Sequence, residues 1–281
     1  MDDVEVRHLP GNLPQLFADD ADGRADDGAE RTLSVPLPEG DVVWPDPGYP
    51  QRQMLLRPAF WLSDDPVDGE LWARLRGEHE RSGLWPLLLD DSDQPWAAGQ
   101  IAPEPVSEIG NYVPHAFMYE VWTDHVDQAV DDHDDLAPFG RHCPGPAPPG
   151  TLLDDPAVIA DRHARTIAAR APSLGLAAVD RGADAIAAVG WQGALNHNEW
   201  TAPLAAVLRS WEERFGARVI GLGFNTLELS VAAPPVTTRH AVHVAAEHWA
   251  FCPDILFQGP GTLAGYAEEI RGKTWWSFWW D

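Results

Sequence analysis

The chain has little cysteine, no long apolar run, no surplus of basic residues and no opening segment of basic then apolar character. Each absence excludes something. Two cysteines, Cys143 in a Pro/Gly stretch and Cys252 at an expected helix end, do not make a disulfide framework and suit a reducing compartment. No stretch approaches the roughly 18 apolar residues of a membrane span, and the first residues, MDDVEVRHLPGNLP, lack the two parts of a secretory signal. A cytoplasmic protein is expected. The net charge of −25 disfavours phosphate backbones and anionic lipid, so neither nucleic acid nor membrane is expected as a partner. Catalytic signatures are missing as well. Gly221-x-Gly223 lacks the third glycine of a dinucleotide fingerprint, and neither a G-x-S-x-G elbow nor a phosphate-binding loop occurs. Nothing repeats with a period of about 20–50 residues, which excludes solenoids and propellers.

What is present begins with charge. Residues 1–150 hold 9 Lys/Arg and 30 Asp/Glu, a balance of −21, whereas residues 151–281 hold 10 and 14, a balance of −4. So acidic a first half should attract basic proteins or cationic ligands, although plain solubility of an acidic surface is the preferred reading. The total length of 281 residues allows two lobes, each with its own core. The Pro/Gly-rich HCPGPAPPG (142–150) reads as their connector, giving an acidic N-terminal lobe at 1–150 and a C-terminal domain at 151–281. Residues 18–31 carry almost no bulky apolar side chain and are expected to form a mobile loop.

In the first lobe, residues 53–62 read as a strand and 68–81 as a helix stopped by Gly83. LWPLLL (84–89) reads as a strand buried on both faces, and 119–130 as a further helix. In the second, Asp155-Pro156 opens a helix to 170, residues 185–191 read as a strand and 199–215 as an amphipathic helix. Strands follow at 218–222 and 226–231 around a turn at 223–225, where Gly and Asn tolerate positive φ. Helices at 237–251 and 263–271 and a last strand at 274–280 complete a β-α-β-β-α-α-β order. The expected fold class is α+β, a sheet backed by helices, with a ferredoxin-like arrangement as one candidate.

Three groups of residues could carry function. In HAVHVAAEHWAFC (240–252), His240, His243 and Glu247 fall on one helical face, a donor set suited to a divalent metal such as zinc. Their spacing matches no established zinc motif, and packing of the helix against a sheet is the competing reading. His248 and Cys252 form an i, i+4 pair that a helix C-terminus would leave unactivated, which favours core packing. The third group is a surface for a ligand or partner. Asn196 and His197 lie in a polar strand-to-helix segment, and Trp275, Trp276 and Trp279 lie in the terminal WWSFWWD. Alternation places Trp276, Phe278 and Trp280 on one face of that strand and Trp275, Ser277 and Trp279 on the other. Core or surface is left open for this block.

WEERFGARVIGLGFNTLELSVAAPP (211–235), HVAAEHWAFCPDILFQG (243–259) and WSFWWD (276–281) resemble the bacterial family catalogued as domain of unknown function 4253. The resemblance covers about residues 185–281, and the helix followed by GLWPLLL (83–89) looks like the upstream part of its longer members. In that family an Asp often stands where this chain has Asn225. The resemblance implies a bacterial cytoplasmic protein and brings no activity, cofactor or catalytic residue. Acidity without a complete catalytic motif favours a non-enzymatic, immunity-like interaction module. A metal-dependent enzyme or metal-binding module using His240, His243 and Glu247 is the alternative.

Overall fold

In the computed structural model the structure describes residues 8–17, 28, 30–49, 57–90, 96–128 and 134–281. Of the expected mobile loop at 18–31, all but residues 28, 30 and 31 lie outside the described residues, as does the start of the strand expected at 53–62. The strands are β1 (Gly40–Val43), β2 (Phe60–Pro66), β3 (Leu84–Leu89), β4 (Ser173–Ala178), β5 (Arg218–Leu222), β6 (Thr226–Ser230) and β7 (Trp275–Trp279). They form one sheet in the order β1-β2-β4-β3-β5-β6-β7. Neighbours are antiparallel except β3 and β5, which are parallel. The fold is therefore α+β with a mixed sheet. It is not ferredoxin-like, because β3 separates β4 from β5.

The sheet does not respect residue 150. β4, from beyond that point, lies between β2 and β3, with Trp61 opposite Leu176 and Leu87 opposite Gly175. The Pro/Gly stretch expected as a connector is pinned to helices of the second half, as described below.

The α-helices are α1 (Gly69–Gly77), α2 (His79–Ser82), α3 (Pro114–Gln128), α4 (Pro156–Ile167), α5 (Ala185–Ala188), α6 (Ala202–Phe215), α7 (Thr238–Phe251), α8 (Asp254–Phe257) and α9 (Leu263–Ile270). Local signals account for several of their ends. The Asp68 carboxylate caps α1 and Asp155 caps α4 ahead of Pro156, satisfying N–H groups that a first turn leaves free. Gly83 and Gly216 end α2 and α6 with φ of 67° and 58°, a left-handed conformation that glycine adopts without a side-chain penalty. Helices cover both faces of the sheet. Trp211 and Phe215 of α6 and His248 and Phe251 of α7 meet Trp276 and Phe278 on one face, and His163 of α4 meets Trp275 on the other. That double cover explains why every residue of β3 and β4 is buried.

Residues 185–191 are not a strand, contrary to their apolar run; they begin with α5 and end in a loop at Trp191. The strand lies upstream at SLGLAA, whose Gly, Ala and Ser have little intrinsic strand preference. Position between β2 and β3 overrides that preference, and a Cβ at Gly175 would lie 2.7 Å from the end of the Leu89 side chain, which would have to shift to admit it. The turn at 223–225 closes through Gly223 N–H donating to the Thr226 carbonyl (3.0 Å), with no positive φ at any of its three residues.

Candidate functional site

Where β5 ends and β6 begins, the sheet opens into a cavity of about 340 Å³. Five separate pieces of chain build it: Tyr49, the turn around Trp96–Ile101, the loop Gly190–Asn196, the turn at Phe224 and Asn225, and Trp280 with Asp281. None is near another in sequence, so hydrogen bonds must hold them. Trp191 Nε1 donates to the Gly223 carbonyl (2.8 Å), and the Tyr49 hydroxyl donates to Gln192 Oε1 (2.6 Å). Asn225 Nδ2 donates to the Trp280 carbonyl (2.6 Å), and Trp280 N–H returns a bond to the Asn225 carbonyl (3.1 Å). Asn196 Nδ2 reaches the Asp281 carbonyl (3.1 Å). The Trp191 and Trp280 rings meet edge to face at 5.2 Å, a preferred aromatic geometry.

Behind the wall stands a buried carboxylate. Asp254 Oδ2 accepts from His197 Nε2 (2.8 Å) and from the Asp281 N–H (3.0 Å), while Gln258 Nε2 donates to Asp281 Oδ2 (3.1 Å). The cavity is thus lined by aromatic rings, side-chain amides and Asp281, a lining suited to holding a polar or cationic group beside an apolar surface.

Of the residues expected for a ligand or partner surface, Asn196 lines this cavity and His197 lies beside it on Asp254. The tryptophans part ways. Trp276 is core, enclosed by Trp211, Phe215 and His248. Trp275 lies on the opposite face, its Nε1 donating to Glu228 Oε2 (2.6 Å). Trp279 is 37% exposed, on that same outer face. The member of the block that reaches the cavity is Trp280, which alternation placed on the face of Trp276 and Phe278, and it is only 1% exposed. Tyr49, Trp191 and Asn225 were not anticipated as neighbours. Only their distant contacts bring them together.

His240, His243 and Glu247 do not converge as a ligand set. Glu247, 3% exposed, has both oxygens filled: Oε1 accepts from Arg214 Nη1 (2.7 Å) and Ala147 N–H (2.5 Å), and Oε2 from Arg214 Nη2 (2.6 Å) and Trp211 Nε1 (2.9 Å). His240 Nε2 lies 2.8 Å from the Pro148 carbonyl. His243 packs against Phe139, and burial, together with nearby Arg239 and His240, lowers its pKa. The helical period does align the three, but the partner across from Glu247 is an arginine and the partner of His240 is main chain. The face expected to hold a metal holds the 147–148 backbone instead. Among the described residues no group of three His, Cys, Asp or Glu side chains is arranged to hold a metal ion.

His248 and Cys252 are core. His248 is fully buried among Trp211, Trp276 and Phe278, with Nδ1 3.1 Å from the Tyr266 hydroxyl, and burial drives its pKa well down. The Cys252 thiol donates to the Trp279 carbonyl (3.0 Å), and burial pushes its pKa up, as expected of a packed rather than a reactive thiol.

A further device escaped sequence reading. Glu104, buried in a loop, accepts from the N–H groups of Thr201 and Ala202 (both 2.7 Å) and so caps α6 from almost a hundred residues away. Asn198, a capping-type residue just ahead of the helix, does not cap it; its Oδ1 accepts from Trp200 N–H (3.3 Å).

Fold and cavity define an α+β protein with a mixed sheet between helical layers and a recess at one end of that sheet. Residues 173–281 match the family model described as Domain of unknown function (DUF4253). The match reaches upstream of residue 185 to the first residue of β4. No curated protein and no solved structure matches the chain. No helix among the described residues is long and apolar enough to cross a membrane.

Proposed function

We propose that the protein is a non-enzymatic, immunity-like interaction module of the cytoplasm whose partner is a basic protein. The observation that carries this reading is a charge surplus that cannot be neutralised from within. With 44 acidic and 19 basic residues, at least 25 carboxylates have no one-to-one basic partner. Many arginines are already committed to internal pairs: Arg76 with Asp161, Arg165 with Glu70, Arg181 with Glu212 and Glu213, Arg209 with Asp184, Arg214 with Glu247. The remaining field steers cations toward the surface and repels anions over about 8 Å at physiological salt. The cavity adds a place where a guanidinium or ammonium group meets Trp191, Trp280, Tyr49 and Asp281.

Affinity capture from native lysate at low and high salt tests the reading, with captured proteins identified and their charge noted. Basic partners released by salt are expected. Capture that is indifferent to salt, or no captured protein at all, overturns the proposal.

A further inference from the structure

The two edges of the sheet are guarded very differently. β1 has only four residues, carries the exposed Asp41, and lies between Pro36 and Pro38 on one side and Pro45 and Pro47 on the other. Short length, charge and proline are the usual means of keeping an edge from accepting another strand. β7, one residue longer, lacks charge and proline: Trp275–Trp279 reads WWSFW and pairs with β6 without a register shift.

The register fixes which main-chain groups face outward. Trp280 N–H donates to the Asn225 carbonyl (3.1 Å) and Val231 N–H to the Thr274 carbonyl (2.8 Å), so even-numbered residues of this strand turn their amides toward β6. Trp275, Ser277 and Trp279 turn theirs away. Among the described residues, the one bond made by these outward groups is the thiol of Cys252 on the Trp279 carbonyl. Ser277 and Trp279 are exposed. The result is a run of unfilled donors and acceptors from the Trp275 N–H to the Trp279 N–H, ended by Cys252 on the Trp279 carbonyl and Asp254 on the Asp281 N–H, along a strand about 17 Å long.

We infer that the free edge of β7 is a docking site for an extended segment of a basic partner, which adds an eighth strand beside Trp275–Trp279. The inference rests on the function proposed above and gives it a place. Main-chain hydrogen bonds supply the affinity of such strand addition, and alternate side chains supply the selectivity. Charge decides the occupant. A second copy would bring a net charge of −25 against another −25, whereas a lysine- or arginine-bearing strand is attracted.

The test uses the whole chain and a synthetic peptide of alternating lysine and valine, with a glutamate–valine peptide as control. Hydrogen exchange followed by NMR should show the amides of Trp275, Ser277 and Trp279 protected by the basic peptide. Ser277→Pro deletes an outward N–H without removing a bond to β6 and should weaken binding about tenfold with melting unchanged. Ser277→Lys, a charge on an exposed position, should also weaken it and serves if the proline variant misfolds. Ser277→Ala should bind like the parent. Unprotected amides, equal binding by the proline and lysine variants, or equal binding of the acidic peptide overturn the inference. So does a dimer of the parent protein that Ser277→Pro dissolves, because the occupant would then be a second copy. A salt-sensitive basic partner captured equally by Ser277→Pro removes the edge but leaves the proposed function standing; absence of any such partner removes the function itself.

Discussion

Residues 1–150 and 151–281 differ by charge and agree by architecture. The first stretch carries −21 and supplies three strands; the second carries −4 and supplies four. Composition therefore divides near residue 150, but the sheet does not, since β4 enters between β2 and β3. The difference shows that surface charge and hydrogen-bonded structure are specified separately. Acidic residues can accumulate in one stretch because most of the described ones there are exposed, while two buried carboxylates act across the divide. Glu104 of the first stretch caps α6 of the second, and Glu247 of the second holds Ala147 of the first.

The severest way to break the comparison is to separate the halves. Expressed alone, residues 151–281 leave β4 with neither neighbour and deprive β5 of β3. That fragment is expected to lack a cooperative thermal transition by circular dichroism. A sharp transition would mean that the halves are independent after all.

A smaller intervention removes one tie. Glu247→Ala deprives the Arg214 guanidinium of its carboxylate and the Ala147 N–H of its acceptor, and breaking a buried pair in this way costs about 3–5 kcal/mol. Denaturant melts measure this, and a loss below about 1 kcal/mol would reduce the tie to the worth of an exposed ion pair. Replacing Arg214 and Glu247 together by Met should recover part of the loss, because no charge is then left alone.

The mildest test is pH. The folded pKa of His248 lies well below its ordinary value, so below about pH 6.5 the unfolded chain takes up a proton that the folded chain refuses. The corresponding stability is complete above that pH and falls as pH drops, by at most about 1.4 kcal/mol per pH unit for this one group. His163 and His243, also lowered by burial, act in the same direction. His248→Phe should flatten the decline in melting temperature between about pH 7 and pH 5 without abolishing it. An unchanged slope would remove His248 from the account.

Much of the fold was legible where local chemistry decides it. Asp68, Gly83, Asp155 and Gly216 marked helix ends, LWPLLL announced a strand buried on both faces, and alternation in WWSFW separated Trp276 and Phe278 from Trp279. SLGLAA was not legible as β4, because it lacks branched side chains and owes its conformation to two strands distant in sequence. The cavity was legible at Asn196 alone. Tyr49, Trp191, Asn225 and Trp280 share no local period, and only the closed sheet brings them together.

The late arrival of β4 sets a schedule for synthesis. β2 and β3 emerge with their facing edges open, and the strand that fills the gap follows more than eighty residues after Leu89. At about 5–20 residues per second the nascent chain exposes two apolar strand edges for several seconds. Over that interval it is a substrate for holding chaperones and for sticky neighbours, and any pause in translation between residues 90 and 173 lengthens the risk.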